Sequence, residues 1–109
     1  MYRVTTPTHT FTLPIQTSTC KEVEVTYKQN DHVERFHYQD QTLPEGMTLD
    51  GKNVIIHFTQ EQTKRFLPIY PIAAQVRVLT NDDEVFASQM FTLYIDDVLS
   101  ERILADDES

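Results

Sequence analysis

Apolar and polar residues alternate with period two through most of the chain, the spacing of strands buried on one face. In Thr8 to Leu13 (THTFTL), His9, Phe11 and Leu13 share one face and Thr8, Thr10 and Thr12 the other. Pro7 and Pro14 bracket this segment, which suits an edge strand, because proline cannot donate to a ladder. Lys21 to Lys28 (KEVEVTYK) points Val23, Val25 and Tyr27 inward and Glu22, Glu24, Thr26 and Lys28 outward. Asn30-Asp31 then signals a turn. In the strand that follows, Phe36 and Tyr38 share a face with His32 and Glu34.

Asp50-Gly51 is a strong hairpin signal. It predicts pairing of Met47–Leu49 with Asn53–Phe58, whose Val54, Ile56 and Phe58 face the core. Thr59 with Gln62 three residues on forms a capping-box pattern. It predicts a helix of one or two turns to Phe66, closed off by Pro68 and Pro71. Ile72–Thr80 and Glu84–Ile95 read as the two longest strands, joined at Asn81-Asp82-Asp83. Unbroken alternation in the second puts Val85, Ala87, Phe91, Leu93 and Ile95 on the core face, and Phe86 and Tyr94 outside.

Short strands punctuated by turns predict an all-β fold, an antiparallel sandwich of about seven strands. The short helix falls between the fifth and sixth strands, as in many immunoglobulin-like sandwiches. No tryptophan and a single cysteine exclude an antibody-type Cys…Trp…Cys core. With 109 residues there is room for one domain. The sandwich is expected over residues 1–96 and an acidic C-terminal tail over 97–109. In a short helix, Val98, Leu99, Arg102 and Ile103 of that tail would lie near one side, free to dock on the domain or on a partner.

Charge narrows the choice of partners. The net charge is −8, from 17 acidic against 9 basic residues, the wrong sign for neutralising phosphates or docking on anionic lipid. No nucleic-acid or membrane partner is therefore expected. The N-terminus has no apolar signal region, and no apolar run has membrane-spanning length. Synthesis in a reducing cytoplasm fits the lone Cys20.

Residue types that could carry catalysis or hold a metal stand in ordinary contexts. His9, His32, His37 and His57 form neither an HExxH pattern nor a helical pair, so cross-strand or surface roles are expected rather than a metal site. Ser18, Ser88 and Ser100 lack a GxSxG context, and Cys20 has no nearby base. Asp82-Asp83-Glu84, Asp96-Asp97 and Asp106-Asp107-Glu108 lack the glycine-punctuated spacing of calcium loops. The expectation is a non-enzymatic protein with no cofactor. Its candidate interaction residues are Tyr38, Phe86, Tyr94, Leu99 and Ile103, apolar groups read as outward-facing or on the tail.

Four stretches carry a family resemblance: TPTHTFTLP, VEVTYKQ, LDGKNVIIHFTQEQTKRF and QVRVLTNDDEVFASQ. Together they resemble small proteins from prophages of Gram-positive bacteria. The architecture is also similar to the N-terminal β-sandwich domain of the upper baseplate protein of lactococcal-type phages. The matching features are strand order, the T-x-E-x-T helix start at Thr59–Thr63 and the long final hairpin. The resemblance implies a structural or accessory role in a tail, baseplate or neck. It implies other phage structural proteins as partners and association with the virion; open strand edges of the expected sandwich would in addition allow self-association by strand addition. It implies no catalytic residue. Two other classes remain open: an acidic host-directed inhibitor or DNA mimic, and a carbohydrate-binding module for the host wall that uses exposed tyrosines.

Overall fold

The computed structural model describes residues 1–105. The tail residues 106–109, with their acidic cluster, lie outside the described residues. Eight strands form two antiparallel sheets, so the all-β expectation holds. The first sheet has the order β1-β5-β4, from β1 (Thr8–Thr12), β5 (Asn53–His57) and β4 (Met47–Asp50). The second runs β3-β2-β6-β7, from β3 (His32–Gln39), β2 (Cys20–Gln29), β6 (Ile72–Thr80) and β7 (Val85–Ala87). In that sheet β8 (Phe91–Leu93) also pairs with β6. A 3-10 turn (Thr17–Thr19) leads into β2.

The core follows from the alternation. Val23, Val25 and Tyr27 of β2, Val76 and Val78 of β6, and Val54 and Ile56 of β5 are buried in one cluster that draws on both sheets. Phe36, Phe58 and Phe66 complete it, with Phe36 and Phe58 packed edge to face at 5.5 Å around Tyr27. Gly51, at φ 60°, is the first of two residues linking β4 to β5, where a type II′ turn takes glycine. Gly46 has φ 87° and sits so close to the His57 carbonyl that a Cβ would lie 2.8 Å from it. Only glycine fits there.

Helix α1 (Gln60–Lys64) lies between β5 and β6. Thr59 and Gln62 form the full capping box, each side chain accepting from the other's backbone N–H. Arg3 closes the far end. Its buried guanidinium donates to the carbonyls of Phe66 and Lys64, both at 2.8 Å, and reaches Asp97 and Glu101. A helix leaves its last carbonyls without intrahelical partners, and Arg3 supplies them with donors. The next residue, Val4, turns the chain at φ 55°, a conformation that disfavours β-branched side chains. Thr63, fully buried in α1, holds the chain just beyond by bonding both the N–H and the carbonyl of Thr5.

Three expectations need correction. The final strand is broken at Ser88-Gln89-Met90 into β7 and β8. The tail residues 97–105 form no helix, because the segment is tied down by side chains at successive points instead. Asp97 and Glu101 meet Arg3, and the Gln60 amide bonds both the N–H and the carbonyl of Leu104. Tyr38 lies on the inward side of β3, half-buried against the core and opposite Val23, rather than on an exposed face.

Candidate interaction surface

The break in the last strand shapes the most distinctive surface. Ala87 pairs with Arg77 and Phe91 with Ala74, so four steps on the last strand span three on β6. One extra residue is a β-bulge, and a bulge reverses the inside–outside phase beyond it. Phe86, opposite buried Val78, therefore lies on the core face of β7, while Val85 and Ala87 point outward. This reverses the sequence assignment of all three. Beyond the bulge, Phe91 and Leu93 face the core as expected, opposite Ala74 and Ile72.

Ser88 holds the bulge in place. Its N–H donates to the Val76 carbonyl at 2.8 Å, and its Oγ accepts the Val76 N–H at 3.0 Å. The Gln75 amide donates to the Ser88 carbonyl at 2.9 Å. A hydroxyl thus replaces the backbone acceptor that regular pairing would have supplied.

Phe86 remains half-exposed although it is on the core face, because the gap between the two sheets is open there. Between β1 and β7/β8 runs an apolar seam. Its first part, about 490 Å³, lies between Thr8–Leu13 on one side and Phe91, Leu93 and Ser88 on the other, with Val76 on its floor. Its continuation, about 270 Å³, is lined by Leu13, Pro14, Ile15, Val78 and Phe86. Phe11 and Phe91 meet across the seam at 5.6 Å. At its inner wall His9 Nδ1 lies 2.9 Å from the Tyr27 hydroxyl. Burial raises the Tyr27 pKa well above its usual value and keeps the phenol protonated; burial also lowers the His9 pKa, and the Met1 ammonium adds to that.

The five sequence candidates are not brought together. Tyr38 is on β3, at the opposite edge of its sheet from β7. Phe86 lines the seam. Tyr94, 68% exposed, follows β8. Leu99 is fully exposed on the tail segment and Ile103 half-buried there. A sugar platform built from Tyr38 and Tyr94 together is therefore not assembled. Sequence reasoning missed Phe11, Leu13, Pro14, Ile15 and Ser88 as surface-forming residues. One signal was available: Phe86 and Met90 are out of phase with Phe91, Leu93 and Ile95, the conflict that a bulge resolves.

The outer face of the five-stranded sheet is charged but internally paired. Glu22 meets His37 at 2.7 Å, and Glu24 lies between Arg35 at 3.6 Å and Arg77 at 3.8 Å. Among the described residues no three His, Cys, Asp or Glu side chains converge as metal ligands would. His32 Nε2 is buried and lies 3.0 Å from Glu34 Oε2, off the hydrogen-bonding direction, with its ring edge-on to Phe66. Cys20 is buried, its thiol pKa raised by desolvation, and its Sγ rests 3.8 Å from the Gln16 carbonyl. A buried, protonated thiol is a poor nucleophile. No helix among the described residues is long and apolar enough to cross a membrane.

No family model, curated protein or solved structure matches the chain.

Proposed function

We propose that this chain is a non-enzymatic protein–protein interaction module, a structural or accessory component of a phage or prophage tail, baseplate or neck. The observation that carries the interaction reading is the apolar seam between β1 and β7/β8, with Phe86 and Phe91 half-exposed along it. Soluble domains rarely leave such apolar surface open without a partner for it. The phage assignment is supported by the sequence resemblance.

The strand order supports an immunoglobulin-like reading of the sandwich. In that reading β1, β5 and β4 take the B, E and D positions, and β3, β2, β6 and β7/β8 take C′, C, F and G. Helix α1 then occupies the E–F connection. The placing of Glu24 between Arg35 and Arg77, with Glu22 bonded to the His37 ring, argues against a DNA mimic, which needs a row of unpaired carboxylates.

Mass spectrometry of purified particles from an induced lysogen tests the role directly. The protein is expected at stoichiometric abundance beside tail or neck proteins. Its absence from particles, with co-purification of a host nuclease or repressor instead, would sink the structural role in favour of inhibition.

A further inference from the structure

Taking the interaction reading as its basis, we infer that the free edge of β1 accepts an extended segment of a partner protein, alternating apolar and polar residues and carrying Lys or Arg at its ends, as an added β-strand. The backbone geometry identifies the edge. Leu13 N–H donates to the Lys52 carbonyl and Phe58 N–H to the Pro7 carbonyl, so residues 7, 9, 11 and 13 turn their backbone groups toward β5. Antiparallel pairing alternates. The N–H and C=O groups of Thr8, Thr10 and Thr12 therefore point to the open side, along the seam.

The other sheet edges are protected in ways that β1 is not. β3 carries Glu34, Arg35 and two histidines, β4 has four residues and ends on Asp50, and β7/β8 is broken by the bulge. Charge, brevity and bulges are the usual defences of a free edge. β1 has no Asp, Glu, Lys or Arg, and beside it lies an apolar floor that an incoming strand's alternate side chains would cover. In the immunoglobulin-like reading this is the flank on which the A strand pairs with B.

Charge identifies the occupant. β1, β7 and β8 contain no Asp, Glu, Lys or Arg, but the β7/β8 wall is flanked by Asp82, Asp83 and Glu84 at one end and at the other by Asp96, beside the Met1 ammonium on the Tyr94 carbonyl. Asp82, Glu84 and Asp96 make no ion pair among the described residues. A strand in the seam would place its ends near these carboxylates, which favours basic ends. A second copy of this chain, itself at −8, is disfavoured by the same charges.

The probes are three fluorescein-labelled peptides with a common Thr-Val-Thr-Ile-Thr-Val-Thr centre, ended by Lys-Arg, Ser-Gln or Glu-Asp pairs. Fluorescence anisotropy with the full chain is expected to rank them basic, neutral, acidic, each step at least about fivefold. Thr10→Pro removes one edge-facing N–H without touching the ladder to β5, and should weaken the basic peptide about tenfold at unchanged melting temperature. Amide exchange on the unmodified protein, read by NMR, covers the case of a misfolded variant. The Thr8, Thr10 and Thr12 amides should slow on adding peptide while Phe11 and Leu13 stay as they were. Undetectable binding of all three peptides, a ranking indifferent to end charge, or protection on β3 or β4 instead would overturn the inference. Particle mass spectrometry reads the broader role separately, so a protein found in particles but blind to these peptides loses only the strand-addition site.

Discussion

Around α1 the carbonyls left over at the helix end are taken by Arg3, and the Gln29 side chain does the same for the loop that follows. Gln29 donates to the Leu67 and Tyr70 carbonyls at 2.7 and 2.8 Å and accepts the Leu67 N–H at 2.7 Å. Along β1 and β7/β8, by contrast, edge backbone groups face solvent and aromatic side chains stay half-exposed. Both regions border the same core, and only the first is sealed by buried polar side chains. Long polar side chains repay their burial where irregular backbone would otherwise lose its hydrogen bonds. A strand edge already has water for its outward groups, so nothing local forces closure there. A surface left open in this way is available to a partner.

The contrast can be broken at its strongest point with paired aromatic truncations. Phe66→Ala, at a fully buried position, should cost about 3–5 kcal/mol in urea unfolding. Phe91→Ala, at the half-exposed seam, should cost only about 1–2 kcal/mol. Equal losses would mean that the seam is packed as tightly as the centre.

Next in size is the Arg3 clip. Arg3→Ala leaves the Lys64 and Phe66 carbonyls without their donors and frees Asp97 and Glu101, for an expected loss of about 2–3 kcal/mol. Limited proteolysis should then cut within residues 97–105 before it cuts any strand. A tail as resistant as in the parent would show that the clip does not hold it.

Ser88→Ala sharpens the comparison from the open side. The Val76 N–H loses its hydroxyl acceptor, which should cost about 1 kcal/mol. Amide exchange should rise at Val76 and leave β2 and β3 unchanged.

The smallest expected effect is a pH dependence at the seam wall. Burial first, then the Met1 ammonium, hold the folded-state pKa of His9 below its ordinary 6.5. As pH falls through 6.5 the unfolded chain takes up the proton first, so this stabilisation is present above 6.5 and declines below it. His9→Gln should flatten the change in unfolding midpoint between pH 7 and pH 5. An identical slope in the variant would assign the dependence to other groups.

Much of the fold was legible because it is encoded over short distances. Val23, Val25 and Tyr27, and Val54, Ile56 and Phe58, announce their buried faces by simple alternation, and all six are buried. The capping box of Thr59 and Gln62 depends on residues three apart, and it is present. The surface was much less legible. Whether Tyr38 faces inward depends on β2 lying beside it, and the place of Phe86 depends on a bulge. A bulge is a mismatch between two strands, and neither strand alone contains it.

The sequence by itself thus determined the strands, their turns, the helix start and the acidic balance, all products of local periodicity, backbone preference and composition. Tertiary structure alone decided that Arg3 is buried across the end of α1, that Ser88 resets the phase of the last strand, and that β1 stands free beside an apolar seam. Each of these depends on groups far apart in the chain meeting in space, such as Arg3 with Phe66 and Ser88 with Val76. Local pattern carries no record of which strand will lie next to which.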